Sequence, residues 1–156
     1  MSLEYLDMFV LEVLRLWVPT VRFNRTSAKD KTLNGVHIPK GIEISVQQWV
    51  LHRDPEFWHD PYKFDPERFS KENKEKRHPY AYLPFGSGPR NCIGMKLALF
   101  KVKLAILGIL QKFKFETTPE TEVMVSPELM QEFLIKPKNG MILKLNQEKR
   151  QKKFTQ

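Results

Sequence analysis

The residue with the most chemistry in this chain is Cys92, its single cysteine, set in the run FGSGPRNCIG from Phe85 to Gly94. Gly86, Gly88 and Gly94 allow that run backbone conformations that ordinary residues resist. Arg90 stands two residues before the sulfur and an apolar helix is predicted just beyond it. Nearby positive charge and the unpaired amides of a helix start both favour thiolate over thiol. A thiolate on a Gly-rich loop, shielded by Phe85, suits a soft or borderline metal as an axial ligand. The same residue also reads as a small, inert core cysteine. It cannot build a structural zinc site alone, and His37, His52, His59 and His78 show no ligand spacing.

Two further sets of side chains could act together. Glu12 and Arg15 are three apart on a predicted helix and share a face. On a surface such a pair is worth only about 0.2–0.5 kcal/mol. Burial changes that, because an unpaired buried charge is costly. Arg68, in Pro66-Glu67-Arg68-Phe69, offers a partner. Arg22, Arg25 and Arg90 form the second set; guanidinium groups suit a bidentate grip on carboxylates, although an arginine on a half-buried strand by default faces solvent.

The elements that must position these groups follow from periodicity and turn residues. Leu3, Leu6, Val10, Val13, Leu14 and Trp17 recur at helical spacing over 3–17, and Pro19 stops the helix. Residues 20–46 read as strands, with Asn34-Gly35 as a two-residue hairpin and Pro39-Lys40-Gly41 as a further turn. From Asp54 to Tyr82 prolines recur, and little regular structure is expected beyond a turn near Glu56–Trp58; loops this long are usually functional. Residues 95–112 predict a helix with apolar residues on most faces, which should be largely buried. Strands are expected near 113–117, 122–125, 133–136 and 141–145, with no internal repeat.

With 156 residues, 41% hydrophobic and 12% aromatic, the chain suits one domain and excludes disorder and low complexity. One cysteine excludes an internal disulfide framework and fits a reducing compartment. A net charge of +8 favours acidic partners. A basic nucleic-acid-binding module is a remote alternative, lacking interleaved aromatic-basic motifs and any recognition-helix signature. The longest apolar run, Leu104 to Leu110, is too short for a transmembrane span, and the N-terminus has no basic leader.

The run Phe85–Gly94 resembles the haem-binding signature of the cytochromes P450, matching it at Phe85, Gly88, Arg90, Cys92 and Gly94. Glu12 and Arg15 match the family's ExxR pair, and Pro66–Phe69 its PERF-type loop, in the same order along the chain. Together with NGVHIPKG and LHRDPEFW, these stretches resemble animal microsomal P450s of the drug-metabolising and thromboxane-synthase-like branch, over essentially residues 1–145.

The resemblance implies a mainly α fold with small β-sheets (α+β), the C-terminal haem-ligand portion of the P450 fold, over 1–147. A basic tail, 148–156, is expected to be disordered. It implies haem b (iron protoporphyrin IX) as cofactor and Cys92 as the thiolate ligand, whose electron donation favours O–O cleavage. Phe85 would shield the sulfur, and Arg90 and Arg25 would clamp the propionates. Glu12, Arg15 and Arg68 would form a buried structural triad. Thr20, Val21 and Arg22 match a substrate-contacting strand, and Met130–Leu134 a second contact. Small apolar substrates are implied. So is NADPH-cytochrome P450 reductase, docking near Lys96 in the acid-free stretch with Lys101, Lys103, Lys112 and Lys114, although solvated lysines on a buried helix read as well.

Localisation at the cytosolic face of the endoplasmic reticulum membrane is also implied, with the anchor outside this sequence. The oxygen-activating helix and part of the pocket wall also fall outside it, so the isolated chain is expected not to turn over. The second reading is a non-catalytic truncated product or a partial gene model.

Overall fold

The computed structural model describes residues 3–122, 127–130, 134–137 and 140–147. Helix α1, Leu3–Leu16, leads into four short strands: β1 (Phe23–Thr26), β2 (Lys31–Leu33), β3 (Val36–Ile38) and β4 (Glu43–Val46). Two small helices follow, α2 (Gln48–Leu51) and α3 (Lys71–Lys76), then the long helix α4 (Met95–Leu110). Strands β5 (Phe113–Glu116), β6 (Pro127–Met130), β7 (Leu134–Pro137) and β8 (Lys144–Gln147) complete the described chain. Among the described residues the four sheets are antiparallel pairs: β1 with β4, β2 with β3, β5 with β8 and β6 with β7. The class is the mixed α+β one expected.

Local chemistry explains most of these elements. Asn34 and Gly35 carry φ of +48° and +80°, and Leu33 pairs with Val36 across the two-residue loop. Both loop residues must have positive φ in such a turn, which is why Asn-Gly specifies it. The turn near Glu56–Trp58 forms through the Phe57 and Trp58 N–H groups, both donating to the Asp54 carbonyl. Periodicity misses α3 because KENKEK has no apolar face; Ser70 starts it by accepting the Asn73 N–H. The expected strand at 122–125 and the tail 148–156 lie largely or wholly outside the described residues. The other C-terminal expectations meet β5, β7 and β8 within about three residues, the usual uncertainty of strand ends read from sequence.

The core sits between α1 and the Pro-rich segment after α2. Leu6, Val10, Leu16, Val18, Trp58, Phe69, Ala81 and Leu83 are its buried apolar residues. Phe69 and Tyr82 meet edge-on at 4.7 Å, and the Tyr82 hydroxyl donates to the Leu11 carbonyl at 2.8 Å. Burial pushes the Tyr82 phenol well above its ordinary range. The aromatic anchors make the irregular segment a second wall of the core rather than a loose loop.

One expectation is corrected here. Helix α4 is not buried: Leu97, Phe100 and Leu104 are each more than half exposed, and no α4 residue is fully covered. Among the described residues its main neighbours are α1 and β5, and only Met95, Leu99, Lys103, Ile106 and Leu107, along one side, are half-buried. An apolar helix demands burial, but one helix and a four-residue strand supply too little surface for a helix that is apolar on most faces.

Burial also sets a pH response. His52 is excluded from solvent, and its Nε2 accepts the Leu83 N–H at 2.9 Å, so the ring is held neutral. Desolvation lowers its pKa to about 4, the Arg15 backbone partly offsets this, and the charges of Arg15 and Arg53 add to the depression. The unfolded chain therefore binds a proton that the folded chain refuses as pH falls from about 6.5 towards 4. Stability is expected to drop across that window by roughly 3 kcal/mol at most from this group. Urea unfolding at pH 7 and pH 4.5 checks it, and His52→Gln should flatten the dependence.

Candidate functional site

The Cys loop leaves the core at Leu83 and returns through a closed turn. Gly86 N–H donates to the Leu83 carbonyl at 3.0 Å, and Cys92 N–H donates to the Phe85 carbonyl at 2.9 Å. Gly86 and Gly88 take φ of +73° and +76°, where a side chain would be strained. Met95 N–H reaches back to the Cys92 carbonyl at 3.3 Å, so α4 starts directly under the cysteine. The Cys92 thiol is free and exposed, and a methyl group on Gly94 would lie 3.8 Å from its sulfur.

Beside the sulfur lies a cavity of about 340 Å³, lined by Phe23, Arg25, Pro84, Phe85, Arg90 and Cys92 together with Pro19, Thr20, Gln48 and Gly86. Its wall is apolar on the Pro19, Phe23 and Phe85 side and carries two guanidinium groups. Arg25 is fixed from three directions. It donates to the Asn24 carbonyl at 2.8 Å and the Arg90 carbonyl at 3.1 Å, and it stacks over the Phe23 ring at 4.8 Å. Arg90 itself is exposed. A soft sulfur donor, an apolar wall and two cations fit a flat apolar group that carries a metal and carboxylates.

Across the core, Glu12 and Arg15 are both fully buried and form a two-bond pair, Arg15 Nε to Glu12 Oε2 at 2.7 Å and Nη2 to Oε1 at 2.8 Å. Arg15 spends its other donors on the carbonyls of His52, Pro61 and Lys63 at 2.8, 2.7 and 3.2 Å. All five guanidinium N–H groups are thus used. Glu12 Oε1 also accepts the Asp65 N–H at 2.9 Å, and Arg68 Nε stands 3.6 Å from it. The pair, with Arg68, ties α1 to the segment that leads into the Cys loop.

The other sequence candidates divide. Thr20 lines the cavity, but its hydroxyl donates to Gln48 Oε1 at 2.9 Å. Val21 and Arg22 do not line it; the Val21 carbonyl accepts the Trp49 N–H. Phe85 lines it, while Gly88 and Gly94 shape the loop without doing so. Met130 and Leu134 are register partners in the β6–β7 pair; 131–133 lie outside the described residues. Lys96 is exposed on the first turn of α4, whereas Lys103 is occupied by Asp7 at 2.5 Å. The acid-free reading of that stretch misses this pairing because the acid comes from α1.

Sequence reasoning missed Gln48 and His52. Both are buried, and Gln48 faces the cavity. The signal in the sequence is two polar residues four apart around Trp49-Val50-Leu51, a spacing that no metal-ligand pattern singles out. Among the described residues no group of three or more His, Cys, Asp or Glu is placed to hold a metal ion. None of the described helices is long and apolar enough to cross a membrane.

The Cytochrome P450 family model matches residues 1–144. Cytochrome P450 3A16 of Mus musculus and the lithocholate 6-beta-hydroxylase of Mesocricetus auratus are each 48% identical over 145 residues, covering 93% of this chain and 28% of the relative. Cytochrome P450 3A27 of Oncorhynchus mykiss is 49% identical over the same shares. The chain thus spans little more than a quarter of the length of these curated relatives. A family match over nearly the whole sequence means that the chain belongs to the cytochrome P450 family.

Proposed function

We propose that the chain is the haem-ligand portion of a P450 monooxygenase that hydroxylates small apolar substrates with molecular oxygen. The observation that carries this is the cavity shared by Cys92, Phe85, Arg25 and Arg90. Members of the family bind haem b (iron protoporphyrin IX), and the residues around that cavity suit it. When bound, the haem supplies the oxygen chemistry. Cys92 is the metal ligand, its sulfur presented by a loop closed through the Phe85 carbonyl. Phe85 lines the same cavity and would limit water at the sulfur, exposed in the chain as it stands, once haem covers it. Arg25 and Arg90 hold the carboxylates, with Arg25 already oriented by two backbone carbonyls. Gly88 and Gly94 give the loop its path, and Glu12, Arg15 and Arg68 lock it to the scaffold.

Electrons come from NADPH-cytochrome P450 reductase, docking on the cysteine side near Lys96. Thr20 borders the substrate space, with Val21, Arg22 and the stretch Met130–Leu134 as further contacts. The setting is the cytosolic face of the endoplasmic reticulum membrane. On this reading the isolated chain binds haem but does not turn over.

Incubating the longest natural polypeptide that contains residues 1–156 with the reductase, NADPH and a lipophilic substrate panel tests the reading. Hydroxylated product that requires both reductase and oxygen is expected. A haem-loaded polypeptide that oxidises nothing on the panel would contradict it.

A further inference from the structure

Gln48 and His52 are 1% and 0% exposed, and although the His52 carbonyl accepts from Arg15 at 2.8 Å, neither side chain is one of the ion-paired groups. A buried amide or imidazole is costly unless bonded, so their partners indicate their use. Both converge on Leu83. Gln48 Nε2 donates to the Leu83 carbonyl, and His52 Nε2 accepts the Leu83 N–H at 2.9 Å. Four residues of spacing across the single turn of α2 put both side chains on one face. The same Leu83 carbonyl accepts the Gly86 N–H, the first closing bond of the Cys loop. On its other side Gln48 Oε1 accepts the Thr20 hydroxyl at 2.9 Å. A hydrogen-bonded path therefore runs from Thr20 through Gln48 to Leu83, and the loop that carries Cys92 starts two residues later.

We propose that Gln48 and His52 are positioning residues for Cys92, gripping both backbone polar groups of Leu83 and so fixing where the Cys loop leaves the core. The consequence for the sulfur rests on the haem-ligand reading given above; the grip itself does not. The chemistry is specific. Gln48 must donate to one partner and accept from another at once, which neither Leu nor an ionised Glu can do. His52 must be neutral, because a protonated ring would turn a donor towards the Leu83 N–H.

Amide hydrogen exchange of the full chain, read residue by residue, tests the proposal without haem. Gln48→Leu is expected to speed exchange at Gly86 and Cys92 at least tenfold, leaving Val10 in α1 and Ala98 in α4 within twofold. His52→Leu should do the same at Leu83, and His52→Gln, whose side-chain oxygen can accept, should restore protection. Because Cys92 is the only cysteine, its reaction rate with an aromatic disulfide is a second readout, expected to change at least threefold in Gln48→Leu and Gln48→Glu. Loop amides within twofold of the unsubstituted chain in both Leu variants would overturn the proposal. So would an equal rise in α1 and the loop, which marks general stabilisation only. Absence of haem uptake beside the expected exchange pattern would count against the haem reading and leave the grip standing.

Discussion

Glu12→Ala is expected to cost about 3–5 kcal/mol, the scale seen when one partner of a buried pair is removed. Domains of this kind have only about 5–15 kcal/mol in hand, so the variant should unfold at far lower urea or fail to accumulate. The reason is local. Arg15 would keep its three backbone carbonyls but lose both bonds to the carboxylate, leaving a buried charge without its counter-ion. Arg68 and the Asp65 N–H would lose the same carboxylate. Lys103→Ala is the control: its bridge to Asp7 is partly exposed and should change stability by less than about 1 kcal/mol. A Glu12→Ala cost as small as the control's would show that the pair does not hold α1 to the Pro-rich segment.

Cys92→Ala should weaken haem retention by about 100-fold or more, equivalent to roughly 2.7 kcal/mol. The substitution removes the only sulfur ligand of the cysteine type in the chain and touches no core residue. Its urea midpoint without haem should therefore match the unsubstituted chain. Arg25→Ala should have a smaller effect, about tenfold, as for one hydrogen bond to a charged group. Both are read by titrating hemin and following retention through gel filtration. Equal retention in Cys92→Ala and the unsubstituted chain would remove Cys92 from the ligand role.

Much of this molecule can be read directly from its residues. Helix α1 and the β2–β3 turn follow from side-chain spacing and from Asn34-Gly35, both local signals. Glu12 and Arg15 are visible as a pair because three residues of spacing suffice. Their worth is not visible, since it depends on the carbonyls of His52, Pro61 and Lys63, brought to Arg15 by a path set in tertiary packing. The Cys loop is legible through its glycines and its motif. The grip on Leu83 is not, because α2 is one turn long and its partner lies 31 to 35 residues away. Helix α4 shows the limit most plainly. Its apolarity correctly predicts a helix, yet burial is a property of neighbours, and only one side of it is half-buried.

The two buried networks have different tasks. Glu12, Arg15 and Arg68 fix α1 against the segment from Pro61 to Asp65, upstream of the loop. Gln48 and His52 hold the loop's point of departure. Between them the segment that carries Phe85 and Cys92 is anchored before it turns, which is what a fixed donor atom requires.

A carbon-monoxide difference spectrum of the reduced, haem-supplied chain tests the central claim most directly. A long-wavelength Soret band, the signature of thiolate ligation, is the predicted result, and it should vanish in Cys92→Ala. A short-wavelength band of nitrogen ligation, or the same long-wavelength band surviving without the Cys92 sulfur, would contradict it.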